Sequence, residues 1–146
     1  MGYLLDTNVV SELRRPRPHG GVLAWIQSVD DADFYLSSVT IGEIQVGIEL
    51  TREQSQVKAN EIEQWLDQVC NTFTILTMDG PAFRRLAKLM HCKSHTLYED
   101  AMTAAIAKVH HLTVVADVRR LVRCLALQPG AACQVRSVAG NPNAST

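Results

Sequence analysis

Tyr3-Leu4-Leu5-Asp6-Thr7-Asn8 is the stretch that decides the fold, because an apolar run stops there at three residues that favour turns and helix caps. The apolar residues predict a short buried strand. The polar residues predict a helix that begins directly afterwards and ends before the Pro16 and Pro18 pair. A strand that leads at once into a helix is the first half of a parallel α/β unit.

The same alternation of strand and helix continues along the chain. Further apolar runs predict strands at residues 34–36, 73–76 and 112–115. Helical spacing predicts helices near residues 22–29, 40–50, 54–70 and 98–109, and one after Pro81 with Phe83, Leu86, Ala87 and Met90 pointing inward. This order predicts a three-layer α/β/α fold with a central parallel sheet.

The bulk composition indicates one globular domain. The 146 residues are 47% hydrophobic and 20% charged, and the formal net charge is -1. The regular pattern predicts a domain over residues 1–125 and an atypical tail over residues 126–146.

No overall basic field points to a nucleic-acid partner, so phosphate binding would depend on local clusters. The apolar stretches are too short for a membrane span, the start of the chain does not resemble a signal peptide, and the four cysteines lack CxxC spacing. We therefore expect no membrane association and a cytoplasmic protein with reduced thiols.

Four acidic residues fall near predicted strand ends or helix starts: Asp6, Glu43, Asp100 and Asp117. Asp6 and Asp117 follow the first and fourth strands, Glu43 is expected in the first turn of the helix after the second strand, and Asp100 opens a later helix. Ligands of parallel α/β sheets bind beyond the C-terminal strand ends. Carboxylates suit Mg²⁺, which prefers oxygen ligands and can activate water for phosphodiester hydrolysis. The alternative is that these acids only cap helices or complement helix dipoles.

Three motifs around these acids resemble the PIN-domain family, in particular the VapC- and FitB-like toxins of toxin–antitoxin pairs. The motifs are residues 4–13, 35–44 and 99–107, which contain Asp6, Glu43 and Asp100 in order. The resemblance implies an α/β/α fold, metal-dependent RNA cleavage with Mg²⁺ or Mn²⁺, a cognate antitoxin and a homodimer. It also implies that Asp6, Glu43, Asp100 and Asp117 are catalytic metal ligands.

The fourth motif departs from the family pattern. A hydroxyl expected before the acidic position is replaced by Ala116, and Asp117 fits only if one residue is missing. This departure leaves open a catalytically impaired binding module that acts with an antitoxin in a DNA-binding regulatory complex. A nuclease directed at DNA or flaps would share the chemistry, but the short chain lacks an arch-like insertion.

Other polar residues have both a structural and a functional interpretation. Thr7, Asn8 and Thr40 are expected to orient a carboxylate or to cap a helix. Basic residues that could position RNA phosphates, or simply be solvated, are Arg14, Arg15 and Arg17, then Lys88, His91, Lys93 and His95, then Arg119, Arg120 and Arg123. Glu99 is expected to point away from Asp100 as a surface acid, and Trp25 and Trp65 to lie in the core or at a dimer interface.

Overall fold

Short strands alternate with helices throughout residues 2–116, the part of the chain that the computed structural model describes. The elements, in chain order, are β1 (Tyr3–Leu5), α1 (Thr7–Leu13), α2 (Gly20–Ser28), β2 (Phe34–Ser37), α3 (Ser38–Arg52), α4 (Gln56–Thr72), β3 (Thr74–Leu76), α5 (Gly80–Met90), α6 (Tyr98–Val109) and β4 (Thr113–Val115). Two single 3₁₀ turns, Asp31–Asp33 and His95–Leu97, precede β2 and α6.

The four strands form one parallel sheet in the order β3-β2-β1-β4. In this register Leu5, the last residue of β1, lies opposite Leu36 of β2 and Val115 of β4. The residues that follow these strands therefore meet at one edge of the sheet, as parallel topology requires.

Side chains alternate between the two faces of β1 and so build two cores. Tyr3 and Leu5 are buried in the larger core, which also contains side chains from α1, α2, α3 and α4. Leu4 is buried on the other face with Ala82 of α5 and Ile106 of α6. Helices thus cover both faces of the sheet, which confirms the predicted three-layer α/β/α fold.

An aromatic cluster anchors the larger core. The Trp25 ring meets the rings of Tyr3 and Phe34 edge-on, at centroid distances of 5.3 and 5.5 Å. Trp25 is buried, and Trp65 is partly buried against the same core. Both tryptophans therefore pack against the domain core, which is one of the two locations predicted from the sequence.

The start of α3 differs from the prediction. Its first residue is Ser38 rather than Thr40, because the buried Ser37 caps the helix by accepting a hydrogen bond from the Val39 N–H at 3.0 Å. No linker separates β2 from α3. Glu43 consequently lies in the second turn of α3 and not in the first.

The buried face of α5 is also offset from the predicted one. Ala82 and Leu86 are buried, whereas Phe83 is half exposed and Ala87 is exposed. Small residues of α6 allow that helix to approach α5 closely, and Ala82 fits this contact better than a phenyl ring. The prediction that Phe83 and Ala87 point inward is therefore wrong.

Between residues 2 and 116, no helix has the length and apolar character that crossing a bilayer requires. Within the described residues, Cys70 and Cys92 are exposed and form no disulfide. The predicted boundary at residue 125, the tail over residues 126–146, and the other two cysteines lie outside the described residues.

Candidate active site

Asp6 stands at the C-terminal end of the central strand β1. Its backbone N–H donates a 3.0 Å hydrogen bond to the carbonyl of Val115, and its own carbonyl accepts hydrogen bonds from the N–H groups of Val9 and Val10. These bonds end the strand and start α1 at a single residue. The carboxyl group is therefore held at the edge of the sheet by backbone contacts on both sides.

The electrostatic environment of Asp6 disfavours its ionised form. Burial raises the pKa of this carboxyl above 3.8, and the charge of Asp100 raises it further. The N–H groups of Thr7 and Asn8 lower the pKa in part, without closing a capping hydrogen bond. Asp6 and the first turn of α6 are thus close enough for their charges to interact.

Glu43 reaches the same edge from α3 and is held there by Thr7. The Thr7 hydroxyl donates a hydrogen bond to Glu43 Oε2, and the Oγ1 atoms of Thr7 and Thr40 lie 3.4 Å apart. Thr40 is fully buried. The structure therefore links Thr7 and Thr40 to an acidic side chain, whereas Asn8 is exposed and contributes its backbone N–H near Asp6.

The first turn of α6 brings two acids to the cluster instead of one. Glu99 lies within hydrogen-bonding reach of the Glu43 carboxyl, and the neighbouring Asp100 acts on Asp6. Glu99 is exposed and points away from Asp100, as predicted, but it also reaches Glu43, a contact that was not predicted. Adjacent helical residues point about 100° apart, and this angle directs Glu99 towards α3 and Asp100 towards β1.

Glu43 experiences opposing influences from these neighbours. Burial raises its pKa above 4.5, the Thr7 hydroxyl lowers it, and the hydrogen bond and charge of Glu99, together with the charge of Asp6, raise it again. Two carboxyl groups with raised pKa values within one cluster indicate a site where negative charge is crowded. A bound cation or a shared proton would relieve this crowding.

The donor set suits a hard divalent cation, because the converging side chains offer only carboxylate and hydroxyl oxygens. Within residues 2–116, however, no three His, Cys, Asp or Glu side chains already enclose a position for a metal ion. The fourth predicted ligand, Asp117, lies outside the described residues, as does the basic group Arg119, Arg120 and Arg123.

The basic run of Arg14, Arg15 and Arg17 occupies the connection between α1 and α2, and all three residues are exposed. The seven residues of α1 carry this connection roughly 10 Å along the helix axis from Asp6. Sequence reasoning assigned no role to Glu12, which is buried, forms an ion pair with Arg15 at 3.0 Å and accepts a 3.0 Å hydrogen bond from the His19 N–H. Glu12 thus fixes the connection, and Arg15 is partly engaged by it.

Comparisons with known proteins agree with the geometry. The profile of the PIN domain family matches residues 3–123. Toxin FitB of Neisseria gonorrhoeae is 37% identical over 118 residues, which are 76% of this chain and 84% of that protein. Ribonuclease VapC14 of Mycobacterium tuberculosis is 37% identical over 67 residues, 46% of this chain and 65% of that protein. The solved structure of FitAB bound to an IR36 DNA fragment has a TM-score of 0.64 and 35% identity, and the match covers 77% of this chain and 82% of that one.

Proposed function

Because the chain belongs to the PIN-domain family, we propose that it is the toxin of a toxin–antitoxin pair and cleaves RNA by metal-dependent phosphodiester hydrolysis. The observation that carries this proposal is the convergence of Asp6 and Glu43 with the acidic first turn of α6. Relatives named as a toxin and as a ribonuclease support it.

The proposed ligands of Mg²⁺ or Mn²⁺ are Asp6, Glu43 and Asp100, with Asp117 as a fourth carboxylate. When bound, the ion would supply Lewis-acid stabilisation of the phosphoryl group and lower the pKa of water. Asp6 is presented by the central strand and Glu43 by α3, so the acids approach the substrate phosphate from different elements.

Thr7 acts on Glu43 in this scheme. Its hydroxyl holds one carboxylate oxygen and lowers the pKa of Glu43, which keeps more of that side chain ionised and able to bind a cation. Thr40 supports Thr7 from the buried side, and Asn8 adds a backbone N–H near Asp6. These three residues therefore orient ligands and do not contact the metal.

The proposed partners follow from the family and the surface. Arg14 and Arg17 would contact RNA phosphates, with a smaller contribution from Arg15, because Glu12 already pairs with it. A cognate antitoxin would inhibit the enzyme by packing in or near the acidic site. The proposed assembly is a cytoplasmic homodimer.

The proposal is tested by measuring RNA cleavage with and without Mg²⁺ or Mn²⁺, and again after a chelator is added. Asp6→Asn keeps a residue that can start α1 but removes a charged ligand. We expect the cleavage rate to fall by more than the roughly 10–100-fold that is typical when a residue that only hydrogen-bonds to a metal ligand is replaced. Asp30→Asn is the matched control, because Asp30 also caps a helical turn, by accepting a hydrogen bond from the Ala32 N–H. Full activity of the Asp6 variant would contradict the mechanism.

The second candidate function is a catalytically impaired module that binds promoter DNA together with its antitoxin. The similarity to a toxin–antitoxin complex on DNA and the altered residues around Ala116 favour it. Absence of cleavage by the wild-type chain at saturating Mn²⁺, combined with DNA binding by its complex with the antitoxin, would select this alternative.

A further inference from the structure

The connection between α5 and α6 presents an exposed pair of rings. His95 lies in the 3₁₀ turn before α6, and Tyr98 is the first residue of that helix; their ring centroids are 6.4 Å apart with a tilt of 34°. Tyr98 is 41% exposed, so a large part of its ring is free to contact a further planar group. Ser94 fixes the turn by accepting a hydrogen bond from the Thr96 N–H. The ring pair therefore lies on a 3₁₀ turn and on the first residue of the helix that follows it.

The ring pair adjoins the candidate active site. Tyr98 precedes Glu99 and Asp100, the two acids that reach Glu43 and Asp6. Along the axis of α6, Tyr98 and Asp100 are about 3 Å apart, and their side chains project about 160° apart. Tyr98 thus stands at the rim of the acidic cluster without entering it.

Two lysines lie near the ring pair along the chain. Lys88 and Lys93 are exposed on the last turn of α5 and on the connection, together with His91. The acidic cluster repels a polyanion until a cation is bound, so neighbouring lysines would offset this repulsion for an approaching RNA strand. Contact between two copies of the chain through this surface would instead bring two clusters of the same charge together.

We propose that His95 and Tyr98 form a stacking surface for one unpaired base of the RNA substrate, next to the phosphate that is cleaved, with Lys93 contacting the RNA backbone. This inference rests on the proposed function, because it assumes an RNA substrate. Proteins recognise single-stranded RNA by stacking splayed bases on aromatic side chains and by pairing phosphates with cations. Here both kinds of group occur within one short segment beside the acids.

RNA binding can be measured separately from cleavage. Full-length Asp6→Asn protein is titrated into a short labelled single-stranded RNA, and fluorescence anisotropy gives the dissociation constant. Added to this background, Tyr98→Ala should weaken binding roughly 5- to 140-fold, the range expected for one lost stacked base. Tyr98→Phe should retain most of the affinity. Phe83→Ala removes another half-exposed aromatic ring, on α5, and should leave the affinity unchanged.

An oligonucleotide with an abasic site at each position in turn tests the base contact. The Tyr98→Ala penalty should disappear when the missing base is the one that stacks. Lys93→Ala should make the slope of log association constant against log salt concentration shallower by about 0.7, which is the value for one phosphate contact with a single strand.

The proposal is overturned if Tyr98→Ala binds RNA as tightly as its parent, or if the penalty persists with every abasic oligonucleotide. It is also overturned if Tyr98→Ala changes only the sedimentation mass, which would make this surface a contact between copies. Failure of the proposed function gives a different result. In that case the wild-type chain does not cleave RNA with Mg²⁺ or Mn²⁺, whereas Tyr98→Ala still weakens RNA binding.

Discussion

Replacing Thr7 by valine removes one hydroxyl group from the acidic site and keeps the shape of the side chain. That hydroxyl donates to Glu43, and a hydrogen bond to a charged group contributes about 1.5–3 kcal/mol. Glu43 is only partly buried, so solvent screening favours the lower limit. A loss of about 1.4 kcal/mol corresponds to a tenfold change in an equilibrium constant. We therefore expect Thr7→Val to weaken Mn²⁺ binding by roughly tenfold.

The pH dependence of the variant has a defined sign. Because the Thr7 hydroxyl lowers the pKa of Glu43, its removal lets that pKa rise further above 4.5. The acidic limb of the cleavage profile should move to higher pH, and the defect should shrink as the pH increases.

Isothermal titration with Mn²⁺ and RNA cleavage over a pH series measure both effects. Thr7→Ser should behave nearly as wild type, because it keeps the donor. Thr51→Val is the matched control: the Thr51 hydroxyl donates to the Gly47 carbonyl at 2.9 Å, within α3 and away from the acids. An unchanged Mn²⁺ dissociation constant together with an unchanged pH profile would refute the role of Thr7.

Three further predictions concern the other acids. The pKa values of Asp6 and Glu43 are raised above 3.8 and 4.5, so folding favours the protonated form of both carboxyl groups. The stability that these groups contribute is therefore present below pH 3.8 and 4.5, and it is lost as the pH rises through the raised pKa values and the carboxyl groups ionise. Chelated protein should therefore unfold at a lower temperature at pH 7 than Asp6→Asn, and Mg²⁺ at 100 times its dissociation constant should add about 2.7 kcal/mol to the free energy of unfolding. Glu99→Gln should move the acidic limb of cleavage to lower pH, opposite to Thr7→Val, because Glu99 raises the pKa of Glu43; a surface control, Glu61→Gln, should not. Glu12→Ala should cost about 0.5–1.5 kcal/mol in urea unfolding, because it removes the acceptor of the His19 N–H that precedes α2; an unchanged midpoint would contradict that role.

The sequence predicted most of the fold because its signals are local. Tyr3–Leu5 and Tyr98–Val109 have the predicted bounds, since an apolar run that stops at Asp6 and an alanine-rich helical stretch each depend little on distant contacts. The errors arose where packing between elements determines which side chains are buried. Phe83 fits a helical apolar stripe, but the buried stripe of α5 depends on how closely α6 approaches it, and this distance is not encoded in α5 alone.

The candidate site was predictable to the extent that strand order determines it. Asp6 and Glu43 follow adjacent parallel strands, so their approach follows from topology once β1 and β2 pair. The contact of Glu99 with Glu43 depends on the rotation of α6 about its axis, which spacing along one helix cannot supply. Asp117 lies outside the described residues and stays a prediction from the family motif.

The first turn of α6 joins the two proposed activities of the site. Asp100 and Glu99 face the carboxylates of β1 and α3, whereas Tyr98 faces outward beside His95. One helical turn can separate these directions because successive residues rotate by about 100°. A change at Tyr98 should consequently weaken RNA binding and leave Mn²⁺ affinity unchanged, whereas a change at Asp100 should lower Mn²⁺ affinity. Mn²⁺ titration and RNA anisotropy on the same two variants measure this separation, and a Tyr98→Ala variant that loses Mn²⁺ affinity would show that the turn acts as a single structural unit.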